Sequence, residues 1–404
     1  MIRGAAALLV LWAVSAWAGY RVQDVAPLSL GEMEGSGQVA DPRPSPDGRF
    51  LAFEFLGAEG KTLEVYVAPM EGGPFPPALG APNPVLPRTA EDPFRLGGSE
   101  RPVSEGLSWG PTKRDKPSLV VSATRAAGTP GAAQVSFDLY LWEPGRRLFL
   151  TQHPENDVQP AFSPGGDVVA FASGRTGQGD IYLHHFFARS DPLIRVTHEV
   201  AGSELYPAWD PAGERLVFTG HLFGQDHVYV LDGVRRLVAE TDAERRRGLA
   251  RSLTRDLTPA WKTSCLAASV SPDGKWVAFY VRDEAAGGAD LYVVSIEGQG
   301  GEPRRVLRKG LPETHGGPRW SPRGDGFFAV LEDAGRMNPL VWVPLESPSE
   351  PRVLPTGTEL NADPFPLVQG DGVVLLFTAQ GREGSREKRW RRIYAARLIQ
   401  EVAR

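Results

Sequence analysis

Cysteine is almost missing from this chain: Cys265 is the one copy among 404 residues. A single thiol excludes an internal disulfide, so the fold must be held by burial and backbone hydrogen bonding. Strong charge of either sign is missing too, with 44 basic against 49 acidic side chains and a net charge of −5. Bulk electrostatics therefore point to neither nucleic acid nor a membrane surface. Beyond residue 18 no apolar run is long enough to cross a bilayer, which excludes stable insertion by a helix. Sustained helical periodicity is confined to one insert. Against these absences stand 46 glycines and 36 prolines, a turn-rich composition that suits an all-β chain.

One phrase recurs along the chain: proline, an aromatic, a Ser-Pro-Asp-Gly-like turn, an apolar strand, then Asp-Ile-Tyr or an equivalent. Its clearest copies are Pro160-Ala-Phe-Ser-Pro-Gly-Gly166, Pro207-Ala-Trp-Asp-Pro-Ala-Gly213, Ser271-Pro-Asp-Gly274 and Pro318-Arg-Trp-Ser-Pro-Arg-Gly324. Pro42-Arg-Pro-Ser-Pro-Asp-Gly48 is an earlier copy, and Trp109-Gly-Pro111 and Pro364-Phe-Pro-Leu367 are degenerate ones. Self-similarity at a period of about 40 to 50 residues marks a propeller or solenoid. Within one copy, Pro160-Ala-Phe162 reads as an inner strand, Val168-Val-Ala-Phe171 as a second and Asp180-Ile-Tyr-Leu183 as a third. Leu193-Ile-Arg-Val196 reads as a more polar outer strand. Other outer strands are predicted at Arg147–Leu150, Arg236–Val238, Arg305–Leu307 and Arg352–Leu354, and residues 71–104 read as a long loop.

Turns at Ser45, Gly110, Ser163, Asp210, Ser271, Ser321 and Leu367 predict a seven-bladed β-propeller over residues 39–398, with six or eight blades as alternatives. After the last third strand only a tail, residues 399–404, remains. The ring then closes if residues 19–38 act as a latch, with Tyr20–Leu28 as the missing outer strand of the last blade. Ahead of the latch, Met1-Ile-Arg3 is a basic start and Ala5–Trp17 a mostly apolar stretch. Ala16-Trp-Ala18 fits cleavage before Gly19. Residues 1–18 thus read as a signal peptide, which predicts a periplasmic protein, with secretion as the alternative. Thr241-Asp-Ala-Glu244 reads as a capping box that opens a helical insert through about Asp256.

Ser163-Pro-Gly-Gly with the Val-Ala-Phe-Ala-Ser-Gly-Arg-Thr-Gly-Gln-Gly-Asp-Ile-Tyr182 that follows resembles the propeller repeat of TolB and of prolyl-oligopeptidase-type peptidases. Ser271-Pro-Asp-Gly-Lys-Trp-Val-Ala-Phe279 and Asp290-Leu-Tyr292 resemble it nearly as well. The resemblance covers about residues 39–398 and implies a propeller fold, because its residues make turns and packing rather than chemistry. It also implies a small α/β domain before a TolB propeller, or a hydrolase domain with a peptidase one. The chain is expected to be a bare propeller, without either.

Gly106-Leu-Ser-Trp-Gly110 matches the Gly-x-Ser-x-Gly elbow. It falls where the repeat places an inner strand and turn, so Ser108 is expected to be structural and no catalytic residue is assigned. Seven-bladed oligogalacturonate lyases resemble this repeat, and that resemblance implies His and Gln ligands to a metal, for which His221, Gln225, His227 and His315 are the candidates. No cofactor is predicted, with a divalent cation as the alternative. Six residues before each turn stand Asp157, Glu204, His315 and Asn361. With Asp41 and Asp363, each just before a proline, they are expected to ring one tunnel mouth as a polar, acidic binding site. Arg245, Arg246 and Arg247 in the helical insert, and Arg386, Lys388 and Arg389 in the last blade, form two basic surfaces. The reading is a monomeric, non-enzymatic propeller that binds a periplasmic or envelope protein, or a peptide. The alternative is a carbohydrate lyase or hydrolase acting at the tunnel mouth.

Overall fold

The computed structural model describes residues 19–57, 63–71, 73, 75–85, 104–113, 116–127, 134–188, 191–198, 202–222, 225–282, 288–297, 301–312, 316–333, 337–346, 351–370, 372–381 and 390–401. Residues 1–18, expected to be a signal peptide, His315, and the Arg386, Lys388 and Arg389 surface lie outside the described residues. Within them the chain is an all-β propeller, a succession of antiparallel meanders.

The repeated turn joins the first strand of a meander to its second, and side-chain chemistry explains why the phrase recurs. The Ser163 hydroxyl oxygen accepts the Val168 amide proton at 3.1 Å and donates to Asp167 at 3.0 Å. Ser45 and Ser271 do the same with Phe50 and Trp276, each donating to an aspartate at 2.6 Å. Asp210 substitutes for serine because its Oδ1 accepts the amides of Glu214 and Arg215, both at 2.8 Å. The closing residues, Gly48, Gly166, Gly213, Gly274 and Gly324, hold φ between 65 and 73°, a left-handed conformation that favours glycine.

Residues Gly37–Pro44, Phe50–Gly57 and Leu63–Glu71 form the first meander, and the short Asn83–Pro84 pairs with its third strand. An outer strand therefore lies inside the stretch expected to be a loop. Ser104–Trp109, Leu119–Ala127, Gln134–Glu143 and Arg146–Phe149 follow, then Asp157–Phe162, Val168–Ser173, Asp180–His185 and Leu193–Arg195. The next sheet is Glu204–Trp209, Arg215–Leu222, Gln225–Asp232 and Thr254–Asp256. An eight-stranded sheet then joins two repeats, because Gly310 and Leu311 pair with Leu331 and Val330. The core lies between and within these sheets. Its repeating unit is a cross-strand aromatic pair: Phe53–Tyr66, Phe171–Tyr182, Phe218–Tyr229, Phe279–Tyr292 and Phe377–Tyr394 stack with centroids 5.7 to 6.1 Å apart. Such pairs add about 0.5–1.5 kcal/mol each beyond burial.

The last sheet closes on the start of the chain. Thr358–Gln369, Gly372–Gly381 and Arg392–Glu401 are completed by Gly19–Pro27, with Gly19 opposite Glu401 and Pro27 opposite Tyr394. The expected latch forms. Tyr20 fastens it: 6% exposed, it meets Trp342 edge-on at 4.8 Å and Phe328 at 5.1 Å. Burial pushes the Tyr20 phenol up to about 12, with Asp325 adding to the shift and Arg323 opposing it. The folded state therefore holds this proton more tightly than the unfolded chain, whose tyrosine titrates near 10. That contribution is intact below about pH 10 and lost as the pH rises through about 12. Thermal melts across this window should show an alkaline loss of stability, and Tyr20→Phe should make it shallower; an identical slope would refute the assignment.

Three sequence expectations are corrected here. Arg236–Val238 is not an outer strand but lies in the helix Val234–Ala239, which buries Val234 and Leu237 three residues apart on one face. The outer strand comes later, at Thr254–Asp256, after a second helix, Ala243–Leu253. That helix is shorter than predicted, and its N-cap is Asp242 rather than Thr241, since the Asp242 carboxylate accepts the Arg245 amide at 2.8 Å. Leu367 makes no turn either: its strand continues to Gln369, and the reversal falls at Gly370, with φ 58°.

Candidate functional site

The inner strands share a distortion that sets the site. In Gly37–Pro44, Ser104–Trp109, Asp157–Phe162, Glu204–Trp209, Cys265–Val270 and Thr358–Gln369 the pairing register slips by a bulge midway. At the slip stand Asp41, Gly106, Gln159, Tyr206, Ala267 and Asp363, all with positive φ, from 46 to 109°. The first five lie four residues before the turn positions Ser45, Gly110, Ser163, Asp210 and Ser271, and Asp363 lies four before Leu367, which stays in its strand. For non-glycine residues this conformation costs about 1–3 kcal/mol and persists only where the surroundings enforce it, often at functional sites.

Around and beyond these bulges, toward the turns, opens a cavity of about 350 Å³. Gly106, Gln159 and Tyr206 line it, with Phe162 and Trp209 from the strand ends and Arg43 and Arg319 as its cationic groups. The Gln159 side-chain oxygen Oε1 accepts the Tyr206 backbone amide at 2.8 Å, linking neighbouring blades at the bulge. The Trp209 indole donates to the Ala161 carbonyl at 2.9 Å, and Trp109 likewise to Arg43 at 2.7 Å.

Behind the arginines lies a buried charge cluster. Arg43 Nε donates to Asp41 Oδ1 at 2.8 Å, and Arg319 Nη2 is 3.8 Å from the same oxygen. The Asp41 amide donates to Asp363 at 3.3 Å, and the Arg319 guanidinium lies 5.0 Å from the Phe365 ring centre. Burial pushes the Arg43 pKa down, but Asp41 foremost, with Glu54 and Asp363, holds it above its ordinary value. Arg43 remains protonated.

The residues expected at a tunnel mouth separate into two sets. Asp41 and Asp363 do come together, though as buried supports, 1% and 4% exposed. Asp157, Glu204 and Asn361 sit at the other end of their strands and are buried rather than lining the cavity. The Asp157 carboxylate is taken by Arg175 Nη2 at 2.9 and 2.8 Å. Asn361 Nδ2 donates to the Asn338 carbonyl at 2.8 Å, and its Oδ1 accepts the Thr358 hydroxyl at 2.5 Å. Sequence reasoning missed Arg43, Gln159, Tyr206 and Arg319; the signal available was a fixed offset from the turn, four residues for Gln159 and Tyr206 and two for Arg43 and Arg319.

The two metal candidates whose side chains are described, His221 and His227, do not converge. Gly220 pairs with His227 and His221 with Asp226, and since successive residues alternate faces, His221 and His227 project to opposite sides of the sheet. His227 Nδ1 is 2.8 Å from Asp256, and His227 occupies the place where other repeats carry the aspartate of Asp-Ile-Tyr. The Gln225 side chain lies outside the described residues. Ser108 is likewise engaged, its hydroxyl oxygen accepting the Phe162 amide at 2.9 Å. Of the basic helix, Arg245 and Arg247 are exposed, while Arg246 folds back onto the Glu240 carbonyl. Among the described residues no helix is long and apolar enough to cross a membrane.

No protein-family model and no curated protein matches the chain. Solved structures do match. A puromycin-hydrolysing peptidase of Mycobacterium tuberculosis is 14% identical with a TM-score of 0.54, over 92% of this chain and 56% of the peptidase. A prolyl endopeptidase is 13% identical with a TM-score of 0.50, over 87% of this chain and 48% of that one. TolB from Acinetobacter baumannii is 18% identical with a TM-score of 0.44, over 79% and 65%. The chain thus spans about half the length of the two peptidases. At such identities the likeness is one of fold and brings no chemistry with it: the chain is a β-propeller similar to those of TolB and the prolyl-oligopeptidase-type peptidases.

Proposed function

We propose that this propeller is a non-enzymatic binding protein of the cell envelope, exported by the segment 1–18, and that a protein or peptide ligand enters its central cavity. The observation that carries the reading is the cavity itself, lined by the bulge residues of successive blades and offering aromatic, amide and guanidinium groups together. A concave, largely apolar pocket with a few convergent polar groups is the ordinary form of a binding site. Ser108, the one serine in an elbow-like motif, has its hydroxyl engaged by the next blade, and His227 is paired with Asp256. These engagements favour binding over catalysis.

The test is capture from envelope extract with the mature chain, residues 19–404, against the double variant Gln159→Gly, Tyr206→Gly. Both positions hold φ 55°, so glycine removes the side chains without strain. A stoichiometric partner should be retained by the wild type and lost by the variant. Equal retention by both, or no stoichiometric partner, would overturn the proposal.

A further inference from the structure

The charge in the cavity is arranged with a direction. Arg43 and Arg319 line it, with side chains 13% and 14% exposed. Their carboxylate supports lie deeper, Asp41 at 1%, Asp363 at 4% and Glu54 at 0%. The cavity side of the cluster is therefore the positive side, and Asp41, 2.8 Å from Arg43 and 3.8 Å from Arg319, together with the Phe365 ring against Arg319, holds the two guanidinium groups in place. Asp210, also on the lining, has Oδ1 committed to the amides of Glu214 and Arg215.

Volume narrows the occupant. About 350 Å³ lies at the small end of ligand pockets, which run from roughly 300 to 1,000 Å³. It suits the last two or three residues of a chain rather than a folded surface. The half-buried Phe162, Tyr206 and Trp209 supply an apolar wall on adjoining strands, separate from the strands that carry the arginines.

We propose that the cavity recognises the C-terminal end of a polypeptide. Its carboxylate pairs with Arg43 and Arg319, and its last side chain, apolar or aromatic, packs on Phe162, Tyr206 and Trp209. Planar guanidinium forks match a carboxylate in two-point geometry, whereas the same positive lining repels an N-terminal ammonium. This rests on the cavity being the binding site.

The probes are N-acetyl-Ala-Ala-Phe with a free carboxylate and the same tripeptide as its C-terminal amide, titrated by calorimetry into the mature protein at physiological ionic strength. The acid should bind at least about tenfold more tightly than the amide, a difference of about 1.4 kcal/mol. Arg319→Lys, which keeps the charge but loses the fork, should erase most of that difference with an unchanged circular dichroism spectrum. The comparison of acid with amide needs no variant, so a misfolded variant cannot confuse it. Equal binding of acid and amide, or binding of neither, overturns the carboxylate inference. If envelope capture still depends on Gln159 and Tyr206 in that case, the cavity remains the binding site; if capture does not depend on them, that reading fails separately.

Discussion

Removing residues 19–30 from the chain 19–404 should lower its melting temperature by roughly 5–10 °C, or leave it unable to stay soluble as a monomer. The deleted segment supplies the outer strand Gly19–Pro27 and buries Tyr20, Leu28 and Leu30, all 6% exposed or less. Burying three such side chains contributes about 1.5–3 kcal/mol each. With an unfolding entropy of about 2.1 cal/mol/K per residue, a loss of about 6 kcal/mol moves the midpoint of so long a chain by about 8 °C. The deletion also bares Arg392–Glu401 as an edge strand, a template for pairing with a second molecule. Differential scanning calorimetry with size-exclusion chromatography reads both effects. An unchanged melt and elution volume would show that the latch does not hold the ring.

The second large effect is expected at Arg175. Its Nη2 binds both oxygens of the fully buried Asp157, its Nε donates to Ser173 at 2.7 Å, and its guanidinium lies 4.7 Å from the Tyr182 ring centre. Arg175→Met leaves a carboxylate buried without its partner, which costs about 3–5 kcal/mol. The double variant Asp157→Leu, Arg175→Met removes both charges and should recover most of that loss, because a matched apolar pair avoids the desolvation that the ions incur. Urea unfolding measures the cycle. If Arg175→Met costs no more than the double variant, the pair is not a structural unit and Asp157 returns as a candidate for ligand contact.

Much of the fold could be read directly because the repeat spells out local geometry. A serine that accepts an amide five residues on, and a glycine at positive φ, are properties of those residue types wherever they stand. The second and third strands followed from their apolar and aromatic pattern, as at Val168–Ser173 and Asp180–His185. The insert misled because Arg236-Leu-Val238 carries the sequence of an outer strand, while Val234 and Leu237 find better burial on a helix. Tertiary packing decided between two locally acceptable structures.

The candidate site was less legible for a different reason. Asp41, Gln159, Tyr206, Ala267 and Asp363 share a left-handed conformation that none of those residue types announces. Four of the five precede a residue whose ring or neighbour suggests plain extended strand. A bulge is imposed by the two flanking strands, so only the recurring offset from the turn carries a trace of it. His227 shows the converse: it looked like a ligand as an isolated histidine, and the aligned repeats reveal it in an aspartate's structural place.

The latch also sets a timetable. Its strand Gly19–Pro27 precedes its partner Arg392–Glu401 by the whole of the propeller between them, so in any process that delivers the chain from its N-terminus the ring stays open until all the other blades have arrived. Contacts so distant in sequence form late and slowly. During that interval the early strand is an unsatisfied edge, exposed to the wrong neighbours. A chain built this way has good reason to meet a chaperone before its ring closes.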